Sequence, residues 1–93
     1  MIQYKYKAYA FDDKAIAKSI DSCSFYLLDK DIKSEIDSTR VTVGEHHYDF
    51  VGQLITDKSL SLHDIKVIEE IFEDNNASIE IETFENIDNN TIT

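Results

Sequence analysis

Six carboxylates fall within fourteen residues: Glu69, Glu70, Glu73, Asp74, Glu80 and Glu82. Four crowd the C-terminal half of a strongly patterned helix, and two stand on the strand that follows. The helical positions are electrostatically unfavourable. Acids near a helix C-terminus oppose the macrodipole, at about 0.3–1 kcal/mol each in low salt. Glu69–Glu73 and Glu70–Asp74 are also like-charge i,i+4 pairs, and Lys66 relieves Glu69 and Glu70 only in part. Glu80 and Glu82 alternate onto one strand face, about 6.6 Å apart. Carboxylate rows at such spacings can occupy a groove built for phosphates. The chemistry they point to is electrostatic docking onto a basic protein surface. Phe84, in phase with Glu80 and Glu82, and Tyr9 on the first strand are the candidate aromatic anchors, since anchors rather than rim charges carry most affinity. A plainer reading stands beside this one: such acidity also keeps a chain soluble, and glutamates on an edge strand guard it against edge pairing.

Other chemistry finds little to stand on. His46 and His47 are adjacent, so on a strand they point to opposite faces and do not share one ion with Glu45 or Asp49. Cys23 and His63 lack any zinc-site spacing. The Asp29-x-Asp31 start of a calcium loop has no glycine at its sixth position and ends on Arg40 where a glutamate is needed. Gly44 and Gly52 are too far apart for a phosphate-cradling loop. Cys23, among apolar neighbours, reads as a small buried hydrophobe. The Tyr4-Lys5-Tyr6-Lys7-Ala8-Tyr9 run interleaves bases with aromatics but lacks the glycine-aromatic signature of an RNA-recognition strand. The expectation is a protein with no catalytic centre, no cofactor and no metal.

The charge map sharpens this. The chain has 93 residues, 19 acids against 9 bases, and a formal charge of -10. Residues 1–40 hold seven of each and are neutral; residues 41–93 hold only Lys58 and Lys66 against twelve acids. A sequence-independent nucleic-acid binder needs the opposite sign, so direct nucleic-acid binding is excluded. No apolar run approaches the roughly 20 residues of a membrane span. The first residues lack a signal-peptide stretch, so an intracellular, cytoplasmic location is expected. One cysteine makes no internal disulfide.

These residues need elements to hold them. Residues 2–11 alternate with period two and are rich in aromatics, which predicts a strand. Asp12 and Asp13 then cap a short helix over residues 14–21. Residues 24–28, Ser-Phe-Tyr-Leu-Leu, read as a second, mostly buried strand. In residues 29–38, Ile32 and Ile36 fit either a helical turn or a strand face. An extended segment is favoured, because Asp37-Ser38 reads as a turn. Residues 40–43 are a strand by β-branched content; Gly44-Glu45 turns it, and residues 47–55 return as its partner, with Gly52 marking a bulge. Ser61 and Asp64 form a capping pattern ahead of the clearest helix. In that helix Ile65, Ile68, Ile71 and Phe72 share one arc, with the acids opposite. Asn75-Asn76 supplies a left-handed C-cap. Residues 78–84 alternate again as the last strand.

The predicted fold class is α+β: an antiparallel sheet with two helices on one face, a ferredoxin-like βαββαβ layout with room for an extra hairpin strand. Residues 1–85 form one domain and 86–93 a polar C-terminal tail. In general character (small, strongly acidic, free of catalytic motifs) the chain resembles small phage- or plasmid-encoded inhibitors of the anti-CRISPR, anti-restriction and immunity types. The acidic run from Glu69 to Asp88 carries that resemblance. It implies stoichiometric inhibition of a nucleic-acid-handling enzyme through a DNA-mimicking surface whose partner is the basic surface of a nucleic-acid-binding protein. The alternative is a small-molecule-binding or regulatory ferredoxin-like module, dimeric through its sheet.

Overall fold

A computed structural model describes residues 1–43 and 47–86 of the chain. The alternation of β1 (Ile2–Ala10) buries Tyr4, Tyr6, Ala8 and Ala10 and leaves Lys5, Lys7 and Tyr9 outside. Asp12 caps α1 (Asp13–Asp29), its carboxylate accepting from the Ala15 N–H at 2.8 Å. This helix is twice the predicted length. Residues 24–28 form its last turns and are not a strand. The buried set Ile16, Ser19, Cys23 and Leu27 runs at helical spacing through the whole segment, so the apolar run is one continuation of an amphipathic face. The helix stops where Asp31 adopts a left-handed φ of 62°. There the N–H groups of Lys30 and Ile32 both reach back to the Leu27 carbonyl, and that of Asp31 to the Leu28 carbonyl.

Ile32 then plugs into the core, and β2 (Ser34–Val43) begins two residues later. The turn predicted at Asp37-Ser38 is absent: both residues lie inside β2, paired with Gln53 and Gly52 of β3 (Tyr48–Thr56). The turn expected at Gly44-Glu45 lies outside the described residues. Ser61 and Asp64 cap α2 (Leu62–Asp74) reciprocally, as their spacing predicts, and β4 (Ala77–Asn86) closes the fold.

The strand order is β2-β3-β1-β4, with every neighbouring pair antiparallel. The helices touch each other; α1 leans on β2 and α2 on β4, so both cover the same face. That is the predicted ferredoxin-like arrangement, without an extra hairpin strand among the described residues. Between sheet and helices the core joins Tyr4, Tyr6, Phe50 and Leu54 to Cys23, Leu27, Ile68 and Phe72.

Two register irregularities matter, and neither is at Gly52. One lies in β2 between Arg40 and Thr42; the other lies between β1 and β4. Gly52 pairs regularly with both neighbours, so no bulge forms there. It is glycine because the Tyr6 side chain crosses over it to donate its phenol proton to the Asp37 carbonyl, at 2.6 Å. Burial pushes the Tyr6 phenol up to about 12, which keeps that donor protonated.

Candidate functional site

Helix α2 presents the first acid group. Asp64, Ile68 and Phe72 are buried; Ile65 and Ile71 pack against the core, and Glu70, Glu73 and Asp74 are exposed with Glu69 half-buried. The helix ends without a base in its last turn. Asn75 does that work. Its amide donates to the Ile71 carbonyl at 2.9 Å, and the left-handed Asn76 (φ 60°) sends its N–H to the Glu73 carbonyl.

The second acid group does not share a surface with the first. Ile79 and Ile81 of β4 pack toward the helices, so Glu80 and Glu82 project from the opposite, helix-free face of the sheet. There Glu80 pairs in register with Lys7, and Glu82 holds the Lys7 ammonium at 3.5 Å. The β1–β4 irregularity then resets the phase. Tyr6 pairs with Ile81 and Lys5 with Thr83, so Glu82 is the extra residue. Phe84 therefore lands opposite Tyr4, on the helix side, with its ring 5.8 Å from that of Tyr4. The expected company of Phe84 with Glu80 and Glu82 is thus broken by one inserted residue. Tyr9, the other candidate anchor, does lie on the helix-free face, exposed beside His47 at 6.1 Å between ring centres.

Among the described residues, no basic group lies within 4 Å of Glu69, Glu70, Glu73, Asp74 or Glu80. This concentration of charge costs stability. Replacing Glu73 by lysine is expected to stabilise the domain by about 0.5 kcal/mol, since it converts a helix-end repulsion and an i,i+4 repulsion into attractions. A rise in the urea midpoint would show it, and the gain should shrink in high salt.

One acid of α2 has a different task. The carboxylate of Asp64 is buried and accepts from the Ser61 N–H at 3.0 Å, from the Tyr26 phenol at 2.9 Å and from the Lys30 ammonium at 3.0 Å. The Ser61 N–H first, then Lys30 and Tyr26, hold it well below the usual carboxylate range against an opposing desolvation. The Tyr26 phenol and Asp64 in turn raise Lys30. The cap is therefore also a clamp between the two helices. Its Ser61–Asp64 half shows in the sequence spacing; its Tyr26 and Lys30 half has no local signal.

The remaining candidates do not assemble. Among the described residues no three His, Cys, Asp or Glu side chains are grouped to hold a metal. His47 meets Asp49, at 3.3 Å, and the Tyr9 ring. Burial pushes the Cys23 thiol up to about 12, unlike a nucleophile. No helix among the described residues is long and apolar enough to cross a membrane. A cleft of about 400 Å³ opens between α1 and β2. Ile16, Ile20, Ile36 and Phe50 line it, and the Asp13–Arg40 ion pair (3.4 Å) stands at its rim. Arg40 is also held over the Tyr48 ring, 4.9 Å from its centre. The Ser38 hydroxyl is buried there beside the Tyr6 phenol, out of hydrogen-bond geometry.

No protein-family model matches the chain, and no curated protein does. Solved structures do share its fold. An ACT domain protein from Streptococcus pneumoniae superposes with a TM-score of 0.58 at 12 % identity, over 87 % of this chain and 88 % of that one. A de novo designed protein with a ferredoxin fold gives 0.59 at 17 % identity, over 89 % and 87 %. The prephenate dehydratase of Staphylococcus aureus subsp. aureus Mu50 gives 0.59 at 18 % identity, over 90 % of this chain but 30 % of that one. At these identities the likeness establishes the fold alone.

Proposed function

We propose that this domain is a non-catalytic, stoichiometric inhibitor of a nucleic-acid-handling enzyme, of anti-CRISPR or anti-restriction type, that docks through its acidic side onto a basic surface of its target. The observation that carries this reading is the excess of acid on α2: among the described residues no base comes within 4 Å of Glu69, Glu70, Glu73 or Asp74, and Lys66 is the one base on the helix itself. They sit where helix electrostatics oppose them, so a partner's lysines or arginines would relieve a strain already present. Affinity capture from a host lysate tests it. The expected result is a basic nucleic-acid-binding protein retained in low salt, released in high salt, and not retained by Glu69→Lys/Glu70→Lys/Glu73→Lys. A partner held equally by both proteins, or no partner, would contradict it.

A second reading, a small-molecule-binding or regulatory module, is favoured by the cleft between α1 and β2, whose apolar lining and charged rim suit a small amphipathic ligand. Thermal stabilisation by metabolites together with a dimeric native mass would support it; a monomer indifferent to metabolites would remove it.

A further inference from the structure

The acids that look like one surface in the sequence lie on two sides of the sheet; the α2 side also carries two largely exposed apolar side chains, Phe84 and Leu62, while the helix-free side offers the less exposed Tyr9. We infer that the docking face is the flank where α2 overhangs β4, with Phe84 and Leu62 as its anchor and Glu69 and Glu73 as its charged rim. It would take a partner segment presenting one bulky apolar side chain between lysines or arginines. The inference rests on the reading of the acids as a docking surface and says which of them dock.

The geometry of α2 fixes the flank. Asp64 reaches Tyr26 and Lys30 of α1, and Asp74 lines a groove with Lys14 and Lys18 of α1, so those residues mark the side of α2 turned toward α1. Leu62, Ile65, Glu69 and Glu73 follow one another at helical spacing around the other side, above β4, the edge strand that α2 contacts. Phe84 arrives on this side only because of the extra residue at Glu82. Tyr4 ties the two anchor positions together. Its ring faces Phe84, and its phenol oxygen accepts from the Leu60 N–H at 2.8 Å, two residues before Leu62. The anchors are left 70 % (Phe84) and 86 % (Leu62) exposed. Bulky apolar side chains at the start of α2, with carboxylates about two and three turns further along the same flank, form an anchor and a charged rim, complementary to a basic segment that carries a bulky apolar side chain.

The test uses the full chain and two synthetic probes: hexalysine, and the same peptide with a tryptophan at its centre. Fluorescence anisotropy on labelled peptides reads the affinities. Wild type should bind the tryptophan peptide about tenfold tighter than hexalysine. Phe84→Ala/Leu62→Ala should erase that preference while keeping the salt-sensitive binding of hexalysine. Glu69→Lys/Glu73→Lys should weaken both peptides at least several-fold, and Glu80→Lys/Glu82→Lys should change neither by more than about twofold. An unchanged thermal midpoint in the anchor variant shows that its fold is kept, as the exposure of both side chains leads one to expect. A preference that survives the anchor variant, or a loss on reversing Glu80 and Glu82 equal to that at Glu69 and Glu73, would overturn the inference. Equal binding of the two peptides by wild type would overturn the anchor alone; no binding of either would overturn the acidic-docking reading with it.

Discussion

Alanine at Gly52 is expected to destabilise the domain by about 3 kcal/mol, a large effect for one methyl group. The added Cβ would stand 2.6 Å from the Tyr6 phenol oxygen and 2.7 Å from Tyr6 Cζ. It would stand closer still to the Asp37 carbonyl oxygen, which belongs to the backbone of β2 and has no rotamer to change. Relief therefore requires separating β2 from β3 or expelling a buried tyrosine. A domain of this size has on the order of 5–15 kcal/mol in all, so the urea midpoint should fall steeply. Tyr6→Phe separates the two contacts. It should cost about 1 kcal/mol for the lost phenol bond to Asp37, and it should not rescue Gly52→Ala, because the carbonyl clash persists. A Gly52→Ala protein with an unchanged midpoint would show that neither the Asp37 carbonyl nor Tyr6 crowds this position.

Removing the Asp64 carboxylate should cost about 2–3 kcal/mol, combining a lost helix cap with lost charge-assisted bonds to Tyr26 and Lys30, discounted because Lys30 is partly exposed. The effect carries a pH signature. Its carboxyl is held below its ordinary value in the folded state, so between the folded and unfolded values the unfolded chain binds more protons. The stability it contributes is then complete above the unfolded value, about 3.9 for an aspartate, and is lost as pH falls toward the folded one. The stability gap between wild type and Asp64→Asn should be constant from about pH 6 to pH 5 and should narrow below about pH 4. Urea titrations across that range measure it. A gap that stays constant to pH 2.5 would mean that the carboxylate is not held in its charged form by the fold.

What could be read in advance followed local physics. The alternation of β1 needs only a buried face, and Ser61 and Asp64 satisfy each other across three residues. Asn75-Asn76 ends a helix because asparagine tolerates the left-handed region. The misreadings are equally specific. Phe25-Tyr26-Leu27-Leu28 is apolar without a period of its own; its helical phase appears only when Leu27 is traced back through Cys23 and Ser19 to Ile16. Asp37-Ser38 has turn composition, but pairing with Gln53 and Gly52 keeps it extended. Gly52 answers to a side chain 46 residues away in sequence, as Asp64 answers to Tyr26 and Lys30. The candidate site suffered most from the extra residue at Glu82. Period-two reasoning places Phe84 with Glu80 and Glu82, and a single inserted residue sends it to the other face. The excess of acids near the C-terminal end was plain; its division between an α2 flank and the far side of the sheet depends on how the strands register.

The central claim, that the unpaired acids of α2 meet a basic protein surface, is tested most directly by association kinetics with the captured partner across ionic strength. Stopped-flow rates for wild type should be fast in low salt and fall by at least about tenfold as salt is raised. Glu69→Lys/Glu70→Lys/Glu73→Lys should associate slowly at every salt concentration, with little dependence on it. Equal rates for the two proteins, with the same flat response to salt, would contradict the account.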